Sequence, residues 1–110
     1  MKIYEGRNDS GQLCYFEVDN ILIGRSKACR IVESIPGVTL SKRHRPWRFE
    51  HDEVFCVFTL NGKTFEIWEP FGDNSRYHVG ETKAAWSPEL EALKKAFASH
   101  VPFGLTWLRA

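Results

Sequence analysis

The chain is 110 residues long, of which 43% are hydrophobic and 26% charged, and its formal net charge is +1. This balance is typical of a globular protein and excludes the disordered class, and the length predicts one domain spanning residues 1–110. No apolar run approaches the roughly 18 residues of a transmembrane helix. The first residues lack the apolar core of a signal peptide, so we expect a cytoplasmic protein. The net charge by itself indicates no class of partner.

Three cysteines, Cys14, Cys29 and Cys56, are odd in number and widely spaced. We expect all three to be reduced thiols in the interior, which is common for free cysteine and agrees with a cytosolic location. No Cys-x-x-Cys pair is present, and the four histidines show no metal-ligand spacing among themselves. The sequence therefore predicts neither a metal site nor a cofactor.

The chain begins with a predicted β-hairpin over residues 1–18. Ile3 lies in a short first strand, and the residues between the strands have turn composition. The second strand alternates, with Cys14, Phe16 and Val18 on one face. The period of two is that of a strand with one apolar side.

The next segment, residues 26–34, has the apolar period of a helix. Ala28 and Val32 lie four residues apart, on one helical face. Ser26 is placed to cap the first turn, and a proline–glycine pair at 36–37 is typical of a helix end. We therefore expect a helix over about 26–34.

The strongest local signal is Asn61-Gly62, which separates two runs of strand-forming residues. Asn-Gly favours a two-residue type I′ turn, because both central residues of that turn need positive φ. Such a turn fixes the register, so residues at equal distances from it face each other. The predicted pairs include Phe58 with Phe65, Cys56 with Ile67, and Phe55 with Trp68.

A third strand is predicted directly before this hairpin. Trp47 and Phe49 alternate with charged residues, and a second tight turn would place Trp47 opposite Phe58 and Phe49 opposite Cys56. Both aromatic side chains would then fall on the apolar face of the hairpin. This agreement predicts a three-stranded meander over residues 46–69.

The rest of the chain contains a loop, further strands and a second helix. Residues 70–75 have loop composition, and a strand is predicted over 76–79. A helix over 87–99 begins at the N-cap Ser87, with proline in its first helical position. Two further short strands are predicted, at residues 38–40 and in the tail at 103–108.

These elements predict an α+β fold with one antiparallel sheet of about five to six strands and the 46–69 meander at its centre. Two helices, near residues 26–34 and 87–99, are expected to cover the face with Phe58 and Phe65. A sheet with one apolar face must bury that face. The opposite face of the hairpin mixes polar and apolar side chains, so we expect it to be partly hydrated.

The best candidate site is the polar segment of residues 69–78. Six groups in it could bind a ligand or a partner: Glu69, Asp73, Asn74, Arg76, Tyr77 and His78. Arg76 has the donors to bind a carboxylate or phosphate, and His78 with Glu69 or Asp73 could move a proton. Ordinary turn chemistry also accounts for most of these residue types, so that interpretation stays open.

The most basic run of the chain is residues 42–48, which includes Arg43 and Arg45. Such a run could hold a nucleic-acid backbone, with Trp47 stacking on a base. The predicted register turns Trp47 inward, and the sequence pI is only 7.8, so both observations argue against nucleic acid. Arg43 and Arg45 stay candidates for contact with a protein or a small anionic ligand.

No nucleotide-binding, metalloprotease or hydrolase motif occurs in the sequence. The leading hypothesis is a non-catalytic binding or protein-interaction module that uses the 69–78 loop. Two alternatives stay open. One is a small enzyme acting on an anionic substrate, with Arg76 or Arg43 as the anchor and His78 in acid–base chemistry. The other is nucleic-acid binding through residues 42–48.

Overall fold

The computed structural model describes residues 1–21, 23–45, 52–70 and 75–100. Its elements in chain order are β1 (Ile3–Arg7), β2 (Leu13–Asp19), α1 (Arg25–Glu33), β3 (Thr39–Lys42), β4 (Val54–Leu60), β5 (Lys63–Trp68), β6 (Arg76–Glu81) and α2 (Pro88–Ser99). The six strands form one antiparallel sheet in the order β1-β2-β6-β5-β4-β3. This confirms the predicted α+β fold. None of the described helices is long and apolar enough to cross a membrane.

The hairpin of β4 and β5 has the predicted turn. Asn61 and Gly62 have φ values of 51° and 79°, as a type I′ turn requires. Phe58 pairs with Phe65, and the predicted register holds back to Cys56. The rings of Phe58 and Phe65 stack with centroids 5.7 Å apart. The two turn residues therefore set which side chains of this hairpin point inward.

The predicted pair of Phe55 with Trp68 is wrong. A β-bulge between Val54 and Cys56 shifts the register, and Trp68 pairs with Val54 instead. Phe55 turns into the interior, where it is 1% exposed and packs edge-on against Tyr77 with centroids 5.0 Å apart. Burying a phenylalanine side chain stabilises by about 2–3 kcal/mol, more than the roughly 1 kcal/mol of one ladder hydrogen bond.

Strand β3 occupies the outer edge of β4. Leu40 pairs with Phe58, so the predicted pair of Trp47 with Phe58 is wrong. One edge of a strand can pair with only one neighbour, and β3 takes that place. The rest of the predicted third strand, within 46–51, and the tail strand at 103–108 lie outside the described residues.

Both helices pack on the face of the sheet that carries Phe58 and Phe65. Phe97 of α2 lies edge-on to Phe16 of β2, with centroids 5.6 Å apart. The helices contribute Ala28, Cys29, Val32, Leu90, Leu93 and Phe97 to the buried core. The sheet contributes Phe16, Val18, Cys56, Phe58, Phe65, Ile67, Tyr77 and Val79. Within the described ranges, no helix covers the opposite face.

The two helices begin differently. Helix α2 begins as predicted, because the Ser87 hydroxyl accepts a hydrogen bond from the Leu90 backbone N–H at 3.1 Å. The predicted cap of α1 is wrong, since its N-cap is Gly24 and no side chain hydrogen-bonds there. Ser26 lies inside the helix, and the preceding Arg25 anchors the first turn through a tertiary ion pair. That distant contact fixes the position of the first turn, but it does not accept hydrogen bonds from the backbone N–H groups there.

The three thiols are free, and two of them are buried as predicted. Cys29 and Cys56 are fully buried, whereas Cys14 is partly exposed. An irregularity in the pairing of β1 with β2 sets Leu13 opposite Arg7, and Leu13 is 1% exposed. Leu13 therefore supplies the core contact that the alternation assigned to Cys14.

Candidate functional site

Strand alternation sends the residues of β6 to opposite faces of the sheet. Tyr77 points toward the helices, and its hydroxyl donates a hydrogen bond to the Ile23 carbonyl at 3.1 Å. Burial raises the pKa of Tyr77 to about 12, so this phenol is a neutral core group. Arg76 and His78 point to the face away from the helices. The other two candidates of this segment, Asp73 and Asn74, lie outside the described residues.

Glu69 is held in an ion pair at the start of α1. Its Oε1 accepts hydrogen bonds from Arg25 Nε at 3.0 Å and Nη2 at 2.8 Å, and its Oε2 accepts one from Asn20 Nδ2 at 2.6 Å. Arg25 also donates to the Asp52 carbonyl at 2.8 Å. Both carboxylate oxygens of Glu69 thus have structural partners. His78 lies on the other face, so these two side chains form no proton-transfer pair.

The face away from the helices carries the sheet-face cluster, which consists of Tyr15, Glu17, Trp68, Arg76 and His78. His78 pairs with Glu17 of β2 on one side and with Trp68 of β5 on the other. The His78 ring stacks on the Tyr15 ring, with a centroid distance of 5.8 Å and an angle of 13° between the ring planes. On its other side, the centroid of the Trp68 ring lies 5.2 Å from that of His78. His78 Nε2 lies 3.6 Å from Glu17 Oε1. The imidazole is therefore fixed between two rings and beside a carboxylate.

Two strand glycines let the Tyr15 ring lie close to the sheet. A Cβ at Gly6 would come within 2.3 Å of this ring, and a Cβ at Gly80 would come within 3.0 Å of Tyr15 Cβ. Gly80 is the residue directly opposite Tyr15 in the pairing of β2 with β6. A glycine inside a strand often marks a close approach. That signal could have located Tyr15, which sequence reasoning missed together with Glu17 and Trp68.

Arg76 is held by an aromatic ring and two carboxylates. Its guanidinium lies 3.4 Å from the Tyr4 ring centroid. Its Nη1 is 3.4 Å from Glu17 Oε1, and its Nε is 3.8 Å from Asp19 Oδ1. These carboxylates offset the charge of Arg76. They therefore disfavour an additional carboxylate or phosphate at this position.

Arg43 and Arg45 lie beside a different feature, a cavity of about 400 Å³ between the end of α1 and β3. Arg43 forms an ion pair with Glu33 of α1 at the cavity. Arg76 does not line it. The candidate arginines therefore belong to two separate sites, one on the sheet face and one at the sheet edge.

The thiols of Cys29 and Cys56 share a hydrogen bond in the core. This hydrogen bond lowers the pKa of Cys29, and the backbone N–H of His44 lowers it further. The same hydrogen bond, together with burial, raises the pKa of Cys56. Both sulfurs are fully buried, so neither thiol is accessible to a ligand.

In the parts of the chain that the structure describes, no group of three or more His, Cys, Asp and Glu side chains could hold a metal ion. Comparison with family models, with curated proteins and with solved structures gives no match to this chain. Two features of the described residues could bind a ligand or a partner, namely the sheet-face cluster and the cavity at Arg43 and Arg45.

Proposed function

We propose that this protein is a non-catalytic interaction module that binds a protein partner through the sheet-face cluster. One observation carries the proposal: the His78 ring is held between the rings of Tyr15 and Trp68, on a face that no described helix covers. Tyr, Trp and Arg are enriched among the residues that dominate binding at protein interfaces. Cross-strand packing already restricts the rotamers of these side chains in the unbound protein. Binding a partner therefore costs little additional side-chain entropy.

The charge of this face favours a partner with basic side chains. Among the described residues, the carboxylates Glu17, Asp19 and Glu66 lie on it together with two cations, Arg76 and Lys2, which both contact the Tyr4 ring. Carboxylates repel a phosphate backbone, which supports a protein partner over nucleic acid. The Arg76 guanidinium, which lies over Tyr4 and beside Glu17, is an internal example of how a partner's arginine would bind to a ring and a carboxylate.

The same contacts favour binding over catalysis. The carboxylate beside His78 is Glu17, which also contacts Arg76. The oxygen that lies nearest His78, Glu17 Oε1, is the same oxygen that Arg76 contacts. The other candidate base, Glu69, accepts hydrogen bonds from Arg25 and Asn20. Glu17 and Glu69 thus each already have a cationic partner, and the third candidate carboxylate, Asp73, lies outside the described residues.

The test compares the wild-type protein with the double variant Glu17→Gln/His78→Ala and with the control Lys95→Ala. Lys95 is an exposed cation on α2, which packs on the opposite face of the sheet. Each protein is immobilised and incubated with the same protein extract, and the retained proteins are quantified by mass spectrometry. We expect at least one protein whose retention falls about tenfold or more for the double variant, as loss of two central contacts implies. The control should retain it fully.

Circular dichroism and thermal unfolding of each variant check that the fold is intact. If the double variant unfolds, the single variants Glu17→Gln and His78→Gln replace it. Equal retention of every protein by the wild type and by the folded variants would contradict the proposal. So would retention no higher than that of an unrelated immobilised protein.

A further inference from the structure

A second site lies at the edge of the sheet, in the cavity between the C-terminal end of α1 and β3. Its volume of about 400 Å³ is within the roughly 300–1,000 Å³ that is usual for small-molecule sites. Three cations, Lys42, Arg43 and Arg45, line it against one carboxylate, Glu33. The hydroxyl-bearing Thr39 also lines it. The cavity is therefore polar and carries an excess of positive charge.

The three cations differ in how strongly they are engaged. Arg45 is exposed and forms no ion pair with any described residue. Arg43 is paired with Glu33, but the two side chains are 40% and 44% exposed, so water and salt weaken this pair. Lys42 is paired with Asp52 at 2.8 Å, and the Asp52 side chain is 65% exposed. An anion of higher charge can therefore replace these carboxylates as the partner.

One feature opposes an anion here, which is the negative end of the α1 dipole. Three of the last four carbonyls of α1 are, however, bound within the chain. The Ser34 N–H donates to the Arg30 carbonyl, the Ser34 hydroxyl to the Ile31 carbonyl, and the Ile35 N–H to the Val32 carbonyl. The effective negative charge facing the cavity is reduced, and the full charges of the arginines outweigh it.

We propose that this cavity binds the phosphate group of a small phosphorylated molecule, with Arg43 and Arg45 as donors. A guanidinium presents its N–H groups in a planar fork that matches two oxygens of one phosphate. A phosphate group concentrates about 1.5 to 2 negative charges in a small volume at neutral pH, and a diphosphate group carries more, which suits three cations around one cavity. This site shares no residue with the sheet-face cluster, so the phosphate proposal can be tested independently of the proposed function.

The test measures pyrophosphate binding by isothermal titration calorimetry, together with amide chemical shifts in a two-dimensional NMR spectrum of the whole chain. Arg43→Gln and Arg45→Gln should each weaken binding about tenfold, the usual size for a lost charge-assisted hydrogen bond. Glu33→Gln should strengthen binding about fivefold, because it removes the competing carboxylate of a screened pair. Arg7→Gln, on the opposite edge strand β1, is the control and should change nothing.

Three outcomes would overturn the proposal. The first is no binding of millimolar pyrophosphate to the wild type at low salt. The second is equal weakening by Arg7→Gln and by the two cavity variants, which would indicate general charge attraction. The third is shift changes on the sheet-face cluster instead of residues 39–45. Tighter pyrophosphate binding by Glu33→Gln, together with weaker binding by Arg43→Gln and Arg45→Gln, would support the site. A purely structural role of Glu33 predicts no increase in affinity.

Discussion

The ion pair of Glu69 with Arg25 allows a quantitative prediction. Glu69→Gln keeps the side-chain shape but removes the charge. In the wild type the Asn20 amide donates to Glu69 Oε2 at 2.6 Å, and an N–H₂ group of glutamine at that position could not accept this hydrogen bond. Two charge-assisted hydrogen bonds from Arg25 are weakened, each worth about 1.5 kcal/mol. The side chains are only 17% and 15% exposed. We therefore expect a loss of about 3 kcal/mol in the free energy of unfolding, the lower end for breaking a buried pair.

This loss should lower the melting temperature by roughly 12 °C for a domain of this size. Urea unfolding followed by tryptophan fluorescence measures the loss directly. The matched control is Glu66→Gln on the opposite face, a half-buried carboxylate without an ion pair among the described residues, which should cost under about 0.5 kcal/mol. A double-mutant cycle of Glu69→Gln with Arg25→Gln should give a coupling free energy above about 1 kcal/mol.

A loss below about 1 kcal/mol for Glu69→Gln, together with a coupling near zero, would refute this reasoning. The contacts of Glu69 would then contribute little to folding. Glu69 would again be a candidate for ligand binding. Its hydrogen bonds to Arg25 and Asn20 would have to be explained by function instead of stability.

Three further variants test single features of the fold. Gly62→Ala should cost about 1–2 kcal/mol in unfolding free energy, because φ is +79° at this position. Ser87→Ala should cost about 1 kcal/mol, whereas Ser87→Asp should not, since a carboxylate can still accept from the Leu90 N–H. Tyr77→Phe should lower the free energy of unfolding by about 1 kcal/mol at neutral pH, because it removes the hydrogen bond from the Tyr77 hydroxyl to the Ile23 carbonyl. Wild-type stability should fall between pH 10 and 12, because the unfolded phenol ionises first, and the variant should lack this phase.

Denaturant unfolding measures all three variants, and each has an outcome that would contradict its argument. Unchanged stability of Gly62→Ala would mean that the turn can adopt another backbone. Equal losses for Ser87→Ala and Ser87→Asp would mean that the hydroxyl acts in packing and not as a cap. A decline between pH 10 and 12 that persists in Tyr77→Phe would assign it to other groups.

Elements whose signals are local followed from the sequence. Asn61-Gly62 acts through its own φ values, and Ser87 acts on an N–H three residues away. Both were predicted because their effect does not depend on the rest of the chain. Neither Gly24 as the N-cap of α1 nor the bulge at Phe55 could be predicted, because each is stabilised by contacts with residues distant in sequence.

The candidate site likewise combines residues that the sequence identified with contacts that only the folded chain creates. Arg76 and His78 were identified from their chemistry, but Glu69 was assigned to the same site and lies on the other face of the sheet. Tyr15 is separated from His78 by more than half of the chain, and only the pairing of β2 with β6 brings them together. Proximity in sequence thus indicated the wrong partner for His78.

The amino-acid sequence alone determined the types of the elements, the register of the β4–β5 hairpin and the start of α2, because backbone conformation and side-chain period act over a few residues. The tertiary structure alone decided which strand borders β4 and which groups surround His78. It also decided that Glu69 pairs with Arg25. These choices depend on competition between distant segments for the same edge or the same buried space, and such competition is resolved only when the whole sheet and its helices pack together.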